Sequence, residues 1–220
     1  MLTPRIKICC IANLEEAALA IRYGASALGL VGEMPSGPGP IPDEKIFEIA
    51  VSVSPPIATF LLTSQTTAPG IIEHHRRTRT NTIQIVDELE GRAYAQIREA
   101  LPGVKLVQVI HVRDERSVEE AAGLAEFVDA LLLDSGNPGL AVKELGGTGR
   151  RHDWQLSRRI VETVGKPVFL AGGLNAGNVS EAIRTVQAFG LDICSGVRTN
   201  GKLDEQKLAE FFTEAGRESR

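Results

Sequence analysis

Asp134 ends the apolar run Leu131-Leu132-Leu133 and is followed by Gly146-Gly147-Thr148-Gly149; further on, Phe169-Leu170 runs into Ala171-Gly172-Gly173-Leu174. A carboxylate at the end of an apolar run, followed by glycine-rich turns, suits acid/base chemistry on a phosphorylated small molecule. Glycine reaches positive φ and lets the backbone approach a phosphate closely, and helix N-termini add partial positive charge. One glycine cluster is only a turn. Two of them, each beside an apolar run and with an acid ahead of the first, point to a site.

Such residues need strand ends to carry them. Short, apolar runs at Ile6–Cys10, Ala27–Val31, Ile57–Leu62, Thr82–Val86, Lys105–Ile110, Ala130–Leu133, Pro167–Leu170 and Asp192–Cys194 read as strands with no wet face. Amphipathic patterns between them predict helices over Leu14–Tyr23, Asp43–Ser52, Ile71–Arg79, Arg92–Leu101, Val118–Ala125, Trp154–Val164, Val179–Phe189 and Asp204–Ala215. Asn13 with Glu16, Ser117 with Glu120, and Asn178 with Glu181 stand at capping-box spacing, and Asp153 can cap the helix that Trp154 begins. Strand and helix alternating eight times predict an α/β fold, a (βα)8 TIM barrel spanning residues 1–220 as one domain: a closed parallel eight-stranded sheet ringed by helices, with its site on the loops that follow the strands. A doubly wound open sheet ranks below it, because the first strand runs into Cys9-Cys10 rather than a glycine-rich dinucleotide fingerprint. The polar run His74-His75-Arg76-Arg77 reads as a solvated helix face.

Composition bounds the partners. With 43% hydrophobic content over 220 residues, the chain can bury one large core. A formal charge of −4 gives no basic footprint, so nucleic acid is not expected and an anionic ligand must be drawn by local charge. Three cysteines, an odd number, fit a reducing cytoplasm better than a disulfide framework. No apolar stretch reaches the length that spans a bilayer, so no membrane partner is expected. His74, His75, His111 and His152 form no spaced ligand pattern with acids at one strand end, so no metal is expected. Either a monomer or a homodimer is compatible with these features.

Lys7-Ile8-Cys9 ending the first strand, Leu133-Asp134 ending the sixth, the Gly146–Gly149 turn with Asp153-Trp154, Leu170–Asn175 with Asn178-Val179, and Asp192–Val197 together resemble the phosphoribosylanthranilate isomerase family of tryptophan biosynthesis. The resemblance spans nearly the whole chain and is strongest in its C-terminal half. It implies a barrel without a cofactor that converts N-(5-phosphoribosyl)anthranilate to the 1-deoxyribulose 5-phosphate by an Amadori rearrangement. It also implies Asp134 as general acid and Cys9 as general base. Gly147, Thr148, Ala171, Gly172, Gly173, Ser195, Gly196 and Val197 would grip the phosphate. An acid near neutral pH needs a raised pKa, which the apolar run before Asp134 could supply. A basic thiol needs the opposite, and Lys7 lies two residues from Cys9 on the same strand face.

The chain departs from the family where the aromatic acid would sit. Cys10 replaces a glycine. The loop Glu33–Pro40 lacks the arginine of a Ser-Pro-Arg motif expected to hold the anthranilate carboxylate. Asp87 stands near a usual histidine, and Arg198 replaces a glutamate. Lys7, Asp87 and Arg198 are therefore added as substrate-binding candidates, with Arg198, His111 and Arg113 able to offer a relocated carboxylate anchor. A barrel acting on another phosphorylated ligand, or a non-catalytic phosphate-ligand binder, is the alternative.

Overall fold

The computed structural model describes residues 4–89, 91–136 and 151–217. Strands β1 (Arg5–Ile8), β2 (Ala27–Val31), β3 (Ala58–Thr63), β4 (Thr82–Ile85), β5 (Lys105–His111), β6 (Ala130–Asp134), β7 (Val168–Leu170) and β8 (Gly190–Ile193) close into one parallel barrel in chain order. Helices α1 (Leu14–Tyr23), α2 (Asp43–Ser52), α3 (Ala68–Thr78), α4 (Gly91–Ala100), α5 (Arg116–Leu124), α6 (Trp154–Thr163), α7 (Val179–Val186) and α8 (Glu205–Arg217) follow the strands in turn. Closure is made by β1 on β8, where Lys7 lies opposite Asp192 and Ile8 opposite Ile193. Every expected strand and helix forms, and boundaries move by a few residues. No helix among the described residues is long and apolar enough to cross a membrane.

Strand alternation sorts the side chains into two cores. Ile6, Ile8, Leu131, Leu133 and Leu191 join the layer between sheet and helices. Cys9, Val31, Leu62, Val86, Ala130, Leu132, Phe169 and Ala171 pack in a second cluster. Asp134 continues the parity of Ala130 and Leu132, Asp192 shares that of Gly190, and Lys7 that of Cys9. The sequence therefore delivers its polar groups to the barrel interior by simple alternation. Gly190 is small because a Cβ there would lie 2.5 Å from the Phe169 ring.

Three local expectations are corrected. Ser117 is not an N-cap: α5 begins one residue earlier, Asp114 Oδ1 accepts from the Arg116 N–H, and the Ser117 hydroxyl donates to the His111 carbonyl. Asn178 does hold the cap position of α7, but its side chain accepts from the Asn175 N–H and donates to the Gly173 carbonyl, bracing the glycine turn instead. His74 and His75 are buried. His74 bridges Thr63 Oγ1 and Asp43 Oδ1 at 2.9 and 3.0 Å, while His75 bonds the Thr80 carbonyl. Of that run only the arginines face water, because a helix packed between two neighbours turns part of a polar run inward.

Candidate active site

One pocket opens at the C-terminal mouth of the barrel, with an empty volume of about 700 Å³. Cys9 after β1 and Asp134 at the end of β6 both line it, together with Ala171, Gly172 and Gly173 after β7 and Ser195 after β8. Asp134 is buried and accepts from the N–H and hydroxyl of Ser135 at 2.7 and 3.4 Å. Gly172 and Gly173 have φ of 84° and 64°, which only glycine adopts without penalty. Gly196 lies in the turn Ser195–Val197, and a Cβ on it would stand 2.0 Å from the Leu174 carbonyl oxygen, so the β7 and β8 turns are packed backbone to backbone. Gly147 and Thr148 lie outside the described residues.

Lys7 sits beneath Cys9 and is fully buried. Its ammonium lies 2.8 Å from Asp192 Oδ1 and 5.3 Å from the Phe60 ring centroid. Burial works against its charge, yet Asp192, with help from the nearby thiols, holds its pKa above the ordinary lysine value. A Cβ placed on Gly29 would meet Cys9 Sγ at 2.8 Å and Lys7 Nζ at 3.0 Å, so thiol and ammonium converge on one small gap.

Arg198 lies on a two-strand hairpin, β9 (Arg198–Thr199) and β10 (Lys202–Leu203), whose turn places Asn200 and Gly201 at φ of 51° and 78°. Its guanidinium is buried. Nη1 donates to Glu16 Oε1 and the Gly201 carbonyl, both at 3.0 Å; Nη2 donates to Glu16 Oε2 at 3.1 Å and to the carbonyls of Cys9 and Cys10 at 3.1 and 2.6 Å. Both terminal nitrogens are therefore committed, and the relocated-anchor role expected of Arg198 has no terminal N–H left to serve it. Glu16 also accepts from the Ala12 and Leu203 N–H groups. Burial opposes ionisation, but the hydrogen bonds from Arg198, Leu203 and Ala12 together with the Arg198 charge outweigh it, and Glu16 stays below the usual carboxylate range. This clamp holds Cys10, a non-glycine residue, at φ 62°, the left-handed conformation that the family's glycine would take freely.

The other candidates go elsewhere. Asp87, His111 and Arg113 line a separate small cavity with Glu88 and Glu120, and His111 Nε2 contacts the Val86 carbonyl at 3.1 Å. Among the described residues, no arginine, lysine or histidine lines the pocket that holds Cys9 and Asp134. Arg151 stacks 3.7 Å from the Trp154 ring centroid and pairs with Glu181, while Asp153 caps α6 through the Gln155 N–H. The described residues contain no cluster able to hold a metal ion.

Three functional residues were not legible beforehand. Asp192 shows its role only once closure sets it against Lys7. Glu16 reads locally as the acid of a capping box but serves Arg198. Gln84 lines the pocket, buried, with Oε1 lacking a partner among the described residues. The Asn200-Gly201 pair could have revealed the hairpin, since Asn-Gly is a strong short-range turn signal.

A strand-end acid and thiol facing one pocket, with glycine turns packed along its β7 and β8 side, define a (βα)8 barrel equipped for acid/base chemistry. The family model for N-(5'-phosphoribosyl)anthranilate isomerase matches residues 7–214. N-(5'-phosphoribosyl)anthranilate isomerase 2 of Methanosarcina mazei is 34% identical over 213 residues, covering 96% of this chain and 93% of that protein. The isomerase of Haloferax volcanii is 34% identical over 217 residues, covering 98% and 94%. Among solved structures, the isomerase of Thermotoga maritima superposes with a TM-score of 0.83 at 29% identity, covering 97% of this chain and 99% of that one. An isomerase in complex with reduced 1-(o-carboxyphenylamino)-1-deoxyribulose 5-phosphate gives 0.80 at 27% identity with the same coverage. The chain belongs to the N-(5'-phosphoribosyl)anthranilate isomerase family.

Proposed function

We propose that this protein isomerises N-(5'-phosphoribosyl)anthranilate to the 1-deoxyribulose 5-phosphate, with Asp134 as general acid and Cys9 as general base. The observation that carries this reading is the pocket shared by Cys9, Asp134, the Ala171–Gly173 turn after β7 and Ser195 after β8. Asp134 would protonate the furanose ring oxygen, opening the ring to a Schiff base. Cys9 would then take the C2 proton to give an enolamine, which tautomerises to the ketone. Ala171, Gly172, Gly173, Ser195, Gly196 and Val197 would hold the phosphate at one end of the sugar, leaving the reacting carbons between β1 and β6.

The relatives quoted above are all isomerases, which does not favour a different phosphorylated ligand. With the loop-two arginine absent and Arg198 committed, the anthranilate carboxylate would be held without an arginine from either source.

The test is turnover by the purified protein together with rescue of a tryptophan auxotroph lacking the isomerase. Asp134→Asn lowers kcat by roughly 10²–10⁴-fold. Wild-type protein that binds the substrate without converting it contradicts the proposal.

A further inference from the structure

Two thiols at the pocket mouth play no part in the acid/base chemistry above. β1 and β8 are paired neighbours, and the Cys9 N–H bonds the Ile193 carbonyl at 2.8 Å, so the segments leaving the two strands begin side by side. Cys9, Cys10 and Cys194 are all free and line the same pocket. The Cys10 thiol donates to the Pro38 carbonyl at 3.6 Å, and Cys194 packs against the same cluster that holds Cys9 and Cys10. Cys194 is partly exposed and Cys10 is buried. Arg198, bonded to the Cys9 and Cys10 carbonyls, keeps Cys10 from swinging away.

We propose that Cys194 and Cys10 form a peroxide-sensitive pair, an oxidative modification site that closes to a Cys10–Cys194 disulfide across the β1 and β8 ends and obstructs the pocket. The Cys194 thiolate attacks one oxygen of hydrogen peroxide; the O–O bond breaks, hydroxide leaves and takes up the thiol's proton as water, and Cys194 becomes a sulfenic acid. The Cys10 sulfur then attacks the Cys194 sulfur; the S–O bond breaks, the S–S bond forms, and the departing hydroxide leaves as water with the Cys10 proton. Two thiols lose two electrons in all, and one peroxide becomes two waters. The division of labour follows the surroundings. The neighbouring Cys10, with Arg198 and Lys7 adding to it, holds the Cys194 thiol below its ordinary range against the opposing effect of burial. Cys10 is held well above that range. An accessible thiolate beside a resolving thiol is the arrangement that oxidises first.

The experiment is a hydrogen peroxide titration of the full chain, followed by peptide mapping without reductant. Two thiols per chain disappear, a Cys10–Cys194 cross-linked peptide appears, turnover falls in step, and dithiothreitol reverses all three. Cys10→Ser forms no such cross-link, and dimedone traps its sulfenic acid at Cys194. A cross-link joining Cys9 to either neighbour, dimedone labelling confined to Cys9, or three thiols surviving a dose that oxidises glutathione overturns the proposal. Peptide mapping reads the sulfurs directly, so its result stands whether or not the isomerase reading does.

Discussion

Replacing Arg198 with methionine tests whether the buried clamp supports the β1 end. The variant keeps similar side-chain bulk but leaves Glu16, whose side chain is 11% exposed, with only the Ala12 and Leu203 N–H groups. Removing one partner of a buried ion pair costs about 3–5 kcal/mol, and the two surviving N–H bonds place this case toward the lower end. For a chain of this size each kcal/mol moves Tm by about 2–4 °C, so Tm falls by roughly 6–12 °C for a loss of about 3 kcal/mol. Urea or thermal unfolding of wild type, Arg198→Met, Glu16→Gln and the double variant gives the coupling directly, and a value of about 1–3 kcal/mol is expected because the residues share one network. Acid titration provides a second reading. Glu16 has a lowered pKa in the folded state, so its contribution is present above its ordinary value of 4.5 and is lost as pH falls below it. That part of the acid dependence flattens in Arg198→Met. A cost below about 1 kcal/mol with additive single variants would show that the pair behaves like an exposed one and does not hold the loop.

Gly29→Ala drives a methyl into the gap between Cys9 Sγ and Lys7 Nζ; kcat should fall more than KM rises, with little change in Tm, and unchanged kcat refutes the convergence on that gap. Gly196→Ala forces the β8 turn off the Leu174 carbonyl, so affinity for inorganic phosphate or a phosphosugar, measured by calorimetry, should drop while the barrel stays folded. His152, half-buried against Ser157, has its pKa pushed down by burial to about 4 from the usual 6.5. Being neutral when folded, it supports stability above pH 6.5 and withdraws up to about 3 kcal/mol as pH falls from 6.5 toward 4. His152→Gln should weaken that decline, and an unaltered pH–stability curve counts against it.

The residues whose placement rests on alternation along one strand were readable in advance. Cys9 and Asp134 each end an apolar run, and parity alone turns both inward. Residues whose roles arise from contacts between distant segments were not. Asp192 acquires Lys7 through barrel closure, and Glu16 acquires Arg198 through a hairpin near the other end of the chain. Composition at either position cannot reveal this. Arg198 illustrates the converse error: a cation at a strand end suggested a ligand anchor, but five hydrogen bonds to Glu16 and to the Gly201, Cys9 and Cys10 carbonyls consume it. His74 and His75 failed for a simpler reason. Charge runs are read as wet, yet α3 presents part of its polar face to Asp43, Thr63 and Thr80.

The pairing of β1 with β8 also sets an order of assembly. Cys9 leaves the ribosome well before Asp192, Arg198 and Leu203, which hold Lys7, the Cys9 and Cys10 carbonyls and Glu16. N-terminal segments fold first where they can, but here the surroundings of the thiol cannot form until the C-terminal end has emerged. A nascent chain halted before Asp192 would carry Cys9 and Cys10 without the partners that fix them. Synthesis through Leu203 thus gates this end of the barrel, and ribosome-bound chains of increasing length should gain protection from thiol alkylation only after residues 192–203 are released.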